Sequence, residues 1–327
     1  MTSRRLIGLV AVAATATALG ACSPANSGAG ADGKSTYTIG LVLPQGDKYF
    51  QGIQDGLKAA AKADGNEIVV VNTNNDASTE ASQVQNLIQR KVNAIVMQPA
   101  TSSAGSVATM KSVTAAHIPL ICFGNCTDQA ADPSIVKGVA QSDNTALGTG
   151  TGDVAAKYIK AKLGGKAVVG MLNCDSFEVC KLRKAGFKDA LAKAGVQVQY
   201  VADQEGFLPD KATPIATNML SANPNINLMW SANEGGTIGI VTAVKNSRKS
   251  IPVFGTDISD ELARHLQDSN NILQATTGQD AQGTAEKAYA QVIKAIKGEA
   301  NSPLELLVPG ITFDRANPDG ISKYLAG

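Results

Sequence analysis

From Tyr37 onward, short apolar runs alternate with longer stretches in which apolar positions return at helical spacing. Thr38-Ile39-Gly40-Leu41-Val42-Leu43 is the first run; Pro44-Gln45-Gly46-Asp47 breaks it, and a helix begins at Tyr49-Phe50. Further strands are predicted at 67–71, 94–97, 118–123 and 135–140, with helices over 78–91, 103–115 and 145–162. The alternation then restarts. Strands are predicted at 166–172, 196–202, 226–230, 251–255 and 272–276, with helices near 178–194, 209–221, 235–246, 258–268 and 280–297. A strand near 304–308 and an extended piece from Gly310 to Phe313 end the pattern. Strands buried on both faces read as continuous apolar runs and need crossover helices to reach a parallel neighbour. Two such series predict an α/β fold of two doubly wound parallel-sheet lobes. Ligands of such sheets sit outside the carboxyl ends of the strands. The loop from Gln45 to Phe50 lies there, with one carboxylate and two aromatic rings, a set that suits a neutral polyhydroxylated molecule better than a phosphate.

Composition narrows the class. The chain has 327 residues, 44% of them hydrophobic, and a net charge of +1. It has no basic stripe of the kind nucleic acid demands. His117 and His265 are the only histidines and form no triad pattern, and no GxSxG or GxxxxGK[ST] occurs. Gly148-Thr149-Gly150-Thr151-Gly152-Asp153 has the look of a dinucleotide loop. Asp143-Asn144 already starts the helix, however, so the glycines fall inside it and are better explained by close helix packing. No catalytic residue, metal site or cofactor is expected.

The amino terminus adds a location. Arg4-Arg5, the apolar run Leu6 to Leu19 and the small residues before Cys22 predict a secretory signal over 1–21. Leu19-Gly20-Ala21-Cys22 resembles a bacterial lipobox, with Cys22 as the lipidated first residue. Residues 22–35, rich in Gly, Ala and Ser, read as a flexible tether. Export leaves Cys122, Cys126, Cys174 and Cys180 in an oxidising compartment, where an even number implies two disulfides. The spacings favour Cys122 with Cys126 and Cys174 with Cys180, crossed pairings remaining open. Each small loop so closed would constrain the unfolded chain by roughly 2 kcal/mol.

The order of Tyr37 to Val42, Tyr49-Phe50, Asp55-Gly56, Gln83 to Gln89, Ile118 to Ile121, Gln141 to Asn144, Ala185-Gly186-Phe187, Phe254 to Asp257 and Gln274 to Gln279 resembles the ribose-binding-protein-like periplasmic solute-binding proteins (type I) of sugar ABC importers. The resemblance implies a first lobe of 36–141 plus 280–307 and a second of 142–279 plus 308–327. Three hinge crossovers near 141–143, 279–281 and 307–309 would join them. It places ligand contacts at Asp47, Tyr49 and Phe50, at Asn125, at Lys181 (with Arg183 two residues on), and at Phe207, Asn233, Asp257 and Gln279. Ribose binders carry an Asp-Arg pair where this chain has Gly124-Asn125, which argues against ribose itself. The expected partners are a small sugar or polyol, the membrane permease subunits of an ABC importer, and the membrane through a lipid anchor. The protein is expected to be a monomer on the outer face of the cell membrane. Rival readings are a sensor presenting its ligand to a membrane receptor, a repressor's effector domain, and an enzyme. The signal segment opposes the repressor.

Overall fold

Alternation of apolar runs with amphipathic stretches becomes, in the computed structural model, two α/β lobes; residues 36–101, 104–126 and 133–326 are described. The expected leader, Cys22 and the tether lie outside the described residues. The first series is β1 (Thr38–Leu43), α1 (Lys48–Ala63), β2 (Glu67–Asn72), α2 (Ala77–Gln89), β3 (Ala94–Met97), α3 (Ala104–Ala115), β4 (Leu120–Phe123) and β5 (Gly138–Ser142). The second is α4 (Asn144–Lys162), β6 (Lys166–Asn173), α5 (Glu178–Lys193), β7 (Gln197–Glu205), α6 (Pro209–Ala222), β8 (Leu228–Ser231), α7 (Glu234–Ser247), β9 (Val253–Thr256), α8 (Asp260–Gln267) and β10 (Leu273–Gly278). The chain then returns through α9 (Ala281–Ile296) and β11 (Glu305–Val308), and ends with β12 (Ile311–Asp314) and α10 (Pro318–Ala326).

The strands form two six-stranded sheets, ordered β11-β5-β4-β3-β1-β2 and β12-β10-β9-β8-β6-β7. Pairing is parallel throughout except between β12 and β10. The chain therefore passes from sheet to sheet three times, after β5, β10 and β11. Ser142 Oγ, at the first crossing, donates to Gln279 Oε1 at the second, 2.9 Å away.

Alternate strand residues face opposite ways, so each sheet buries both faces. In the first lobe, Leu41 packs with Phe50, Ile53 and Leu57 of α1 and with Ala285 and Val292 of α9. Val42 faces the other way, among Val84, Leu87, Met110 and Val113. Full burial of each large apolar side chain contributes about 1.5–3 kcal/mol. The second lobe repeats the plan, with Trp230 stacked on Phe187 at 4.9 Å between centroids.

The glycine run inside α4 is a packing surface. A Cβ at Gly148 would meet Arg183 O at 1.8 Å, and one at Gly152 would meet Phe187 O at 2.8 Å. Backbone thus lies on backbone where α4 crosses α5. The short C-terminal helix α10 is an element the hydrophobic pattern did not predict. Its Ile321 is 1% exposed and anchors it to the second lobe.

Because the clash at Gly148 is with main chain, overpacking there has no flexible side chain to yield. Gly148→Ala is expected to lower stability by about 3 kcal/mol in urea unfolding. A variant as stable as the parent would show that α4 and α5 separate without cost.

Candidate functional site

In each sheet the strand order reverses beside the earliest strand, between β1 and β3 in one lobe and between β6 and β8 in the other. Loops leaving the carboxyl ends on either side of such a switch point diverge and leave a crevice. Here the crevices of both lobes open into one hollow of about 340 Å³. The first lobe lines it with Gln45, Asp47, Tyr49 and Phe50 after β1, Gln98 after β3, and Gly124 and Asn125 after β4. The second lines it with Glu234 after β8, Asp257 and Ile258 after β9, Gln279 after β10, and Tyr324 of α10.

Asp257 is the most constrained of these residues. Its backbone is left-handed, φ 72, a conformation that costs a non-glycine residue about 1–3 kcal/mol unless its surroundings impose it. Hydrogen bonds impose it: Asp257 N donates to Thr277 O at 2.9 Å, and Thr276 Oγ1 donates to Asp257 O at 2.6 Å. So held, Asp257 lines the hollow, its side chain 20% exposed. Its Oδ2 accepts from Arg183 Nη1 at 3.0 Å and from Glu234 N, the first amide of α7, at 3.3 Å. Its Oδ1 is shielded from solvent and takes no hydrogen bond from the described residues.

Arg183 holds this arrangement together. Its side chain is only 8% exposed, and its Nε and Nη1 also donate to Asn144 Oδ1 and Ala232 O, both at 3.0 Å. A guanidinium shut away from water needs such acceptors, because an unpaired buried charge costs several kcal/mol. One side chain on α5 thus joins the start of α4 and the loops after β8 and β9.

A family model for the periplasmic binding protein domain matches residues 39–300. The chain belongs to that family. An ABC transporter periplasmic-binding protein of Escherichia coli is 31% identical, over 83% of this chain and 84% of its own. The ribose import binding protein of Bacillus subtilis is 28% identical, over 86% of this chain and 90% of its own. A periplasmic solute-binding protein of Actinobacillus succinogenes, solved with bound D-allose, superimposes with a TM-score of 0.71 at 25% identity, covering 87% of this chain and 99% of that one. The protein is a type I periplasmic binding protein of the ribose-binding-like group, and a binding protein rather than an enzyme.

Of the residues singled out in sequence, Asp47, Tyr49, Phe50, Asn125, Asp257 and Gln279 come together in this binding protein's hollow. Asp47 is also the cap of α1, its Oδ1 accepting from Phe50 N at 3.2 Å while Oδ2 takes the Gln45 amide. Phe50 is 5% exposed and belongs to the core as well as to the wall. Tyr49 is half-buried beside it, ring edge to ring face, and burial pushes its phenol up to about 12. Ser259, and not Asp257, caps α8.

Three expected contacts lie elsewhere. Lys181 is exposed on α5 and pairs with Glu178 at 3.0 Å. Two residues along a helix turn a side chain through about 200°, so Lys181 and Arg183 cannot share a face; Arg183 holds the inward one. Asn233 spends its amide on the fold, capping α7 through Oδ1 and donating Nδ2 to Phe207 O at 2.9 Å. Phe207 packs edge-on against Phe177, 5.5 Å between centroids, on the core of the second lobe.

Gln45, Lys48, Gln98, Glu234, Ile258 and Tyr324 line the hollow without having been singled out. Gln98 follows directly on β3, a strand-end position that could have drawn notice. Burial pushes the Glu234 carboxyl above its usual range, and Asp257 and Glu261 add to the push. Both cysteine pairs form locally, with Cα atoms 6.1 Å apart for Cys122–Cys126 and 5.5 Å for Cys174–Cys180. The crossed pairings are thereby excluded. Cys122–Cys126 brackets Gly124 and Asn125 at the hollow, and Cys174–Cys180 closes the loop between β6 and α5.

Removing the Arg183 charge strands the Asp257 carboxylate. Arg183→Met is expected to cost about 3 kcal/mol in urea unfolding, and Arg183→Met with Asp257→Asn less than the sum of the two singles. Additive losses would mean the pair carries no coupling.

Proposed function

We propose that the protein is the extracytoplasmic solute-binding component of an ABC importer and captures a small neutral sugar or polyol between its lobes. The observation that carries this is Asp257, held in a left-handed backbone in the lining of the hollow, with a side chain 20% exposed and an Oδ1 that takes no hydrogen bond from the described residues. An ionised carboxylate only accepts, so the group that meets it is a donor such as a sugar hydroxyl. Amides of Gln98, Asn125 and Gln279 stand around the same space and serve both donor and acceptor needs. The rings of Tyr49 and Phe50 offer flat apolar walls for C–H faces. The names of the E. coli and B. subtilis relatives, and the D-allose bound by the A. succinogenes protein, support the same reading.

Ribose fits this hollow less well. Gly124 has a left-handed backbone, φ +59, and a Cβ there would stand 2.0 Å from Gln98 Oε1. Gln98 fills the space that a side chain at 124 would need, so a carboxylate there would have to displace the glutamine from the hollow's wall. The disulfide that brackets this loop stiffens a ligand-facing segment and lowers the ordering cost of binding. Closure would proceed by rigid-body rotation about the three crossings. The closed form would dock on membrane permease subunits. Lipidation at Cys22 would hold the protein at the outer face of the membrane through the 22–35 tether. No helix among the described residues is long and apolar enough to cross a membrane.

A thermal-shift screen over pentoses, hexoses and alditols is expected to find a ligand, and calorimetry with that ligand tests the site. Asp257→Ala should weaken binding by about 2–3 kcal/mol, because a ligand hydroxyl loses its acceptor in an enclosed space. Unchanged affinity would remove Asp257 from the site, and a screen without any shift would overturn the sugar reading.

A further inference from the structure

Lys48 is the first residue of α1 and belongs to the first lobe. Its ammonium reaches across the hollow and meets the second lobe three times. Nζ donates to Asp260 Oδ1 at 2.8 Å on α8 and to Tyr324 O at 2.8 Å on α10, and lies 4.1 Å from the centroid of the Tyr324 ring. From these contacts we propose that Lys48, Asp260 and Tyr324 form a latch across the cleft mouth. The latch holds the lobes together before any ligand arrives and makes the C-terminal helix part of the closing device.

The three contacts differ in kind and point the same way. The carbonyls of a helix's last turn have no partner within the helix and carry its negative end. Tyr324 O is one of these on α10, and the Lys48 ammonium satisfies it from the other lobe. Asp260 adds an opposite charge, and its carboxyl is held below its usual range by the lysine. The face of the Tyr324 ring adds a cation–π attraction. On the second-lobe side the partners are fixed. The Tyr324 ring packs edge-on against Phe313 at 5.4 Å, and its hydroxyl donates to Ile258 O at 3.4 Å. A pull on Tyr324 is therefore a pull on the lobe. Lys48 and Tyr324 also line the hollow, so latch and ligand share one space.

Each contact is modest, since the Lys48 and Asp260 side chains are 41% and 46% exposed. A modest grip is what a reversible latch needs. A few contacts of this strength shift a two-state equilibrium by about three- to tenfold, enough to bias the lobes without locking them. The grip must also weaken with salt and as pH falls through the carboxylate range of Asp260.

Small-angle X-ray scattering of the ligand-free full chain tests the latch without requiring the ligand to be known, so its failure leaves the sugar reading standing. Lys48→Met is expected to enlarge the radius of gyration, with Asp260→Asn giving a smaller change of the same sign. High salt should move the parent protein toward the Lys48→Met profile and leave that variant unmoved. Melting curves check that both variants are folded, and each site is exposed enough to accept the change. If folded Lys48→Met and Asp260→Asn scatter as the parent does at both salt concentrations, the latch does not exist.

Discussion

One buried charge organises the binding wall of the second lobe. Arg183 sits where α5 meets α4, and its guanidinium can be kept from water only if acceptors surround it. They come from three places in the chain: Asn144, Ala232 and Asp257, whose carboxylate also accepts from the first amide of α7. None of these is close to another in sequence. The close approach of α4 and α5, which glycines at 148, 152 and 186 permit, brings the arginine to that junction. Packing between helices thus sets the position of a charge, and the charge sets the loops.

The same logic explains how a strained residue persists. Asp257 is held left-handed by its neighbours on β10 and by the ion pair, and so held it lines the hollow. The first lobe answers with groups of another kind: a capping aspartate, two rings and a glutamine that fills the space beside Gly124. One wall is anchored by charge and the other is shaped by rings and amides. A neutral ligand rich in hydroxyls suits both.

Much of this was legible in the sequence because strand ends announce themselves. Apolar runs located the sheets, and the polar residues that end them at 47, 125, 257 and 279 all reach the hollow. What escaped was set by geometry that spacing does not carry. Lys181 and Arg183 both looked basic and near, and the turn of the helix decided between them. Asn233 carried an amide at a strand end, but the amino terminus of α7 needed a cap and took it. Phe207 was claimed by the core and Phe177. The C-terminal helix went unpredicted although Pro318 stands at its first position and Ile321, Tyr324 and Leu325 recur at helical spacing. Its brevity hid it, and with it Tyr324. Gly148 to Asp153, by contrast, gave up its meaning early, since a helix that begins at Asn144 leaves no loop for a phosphate.

The central claim is that loops from two separate sheets build one shared site for a hydroxyl-rich ligand. A crystal structure grown with the sugar or alditol that most raises the melting temperature tests it most directly. The account predicts ligand density between the Tyr49 and Phe50 rings and the Asp257 carboxylate, with a hydroxyl on that carboxylate and polar contacts from both lobes. Density confined to one lobe, or lodged in a surface groove away from Asp257, would contradict it.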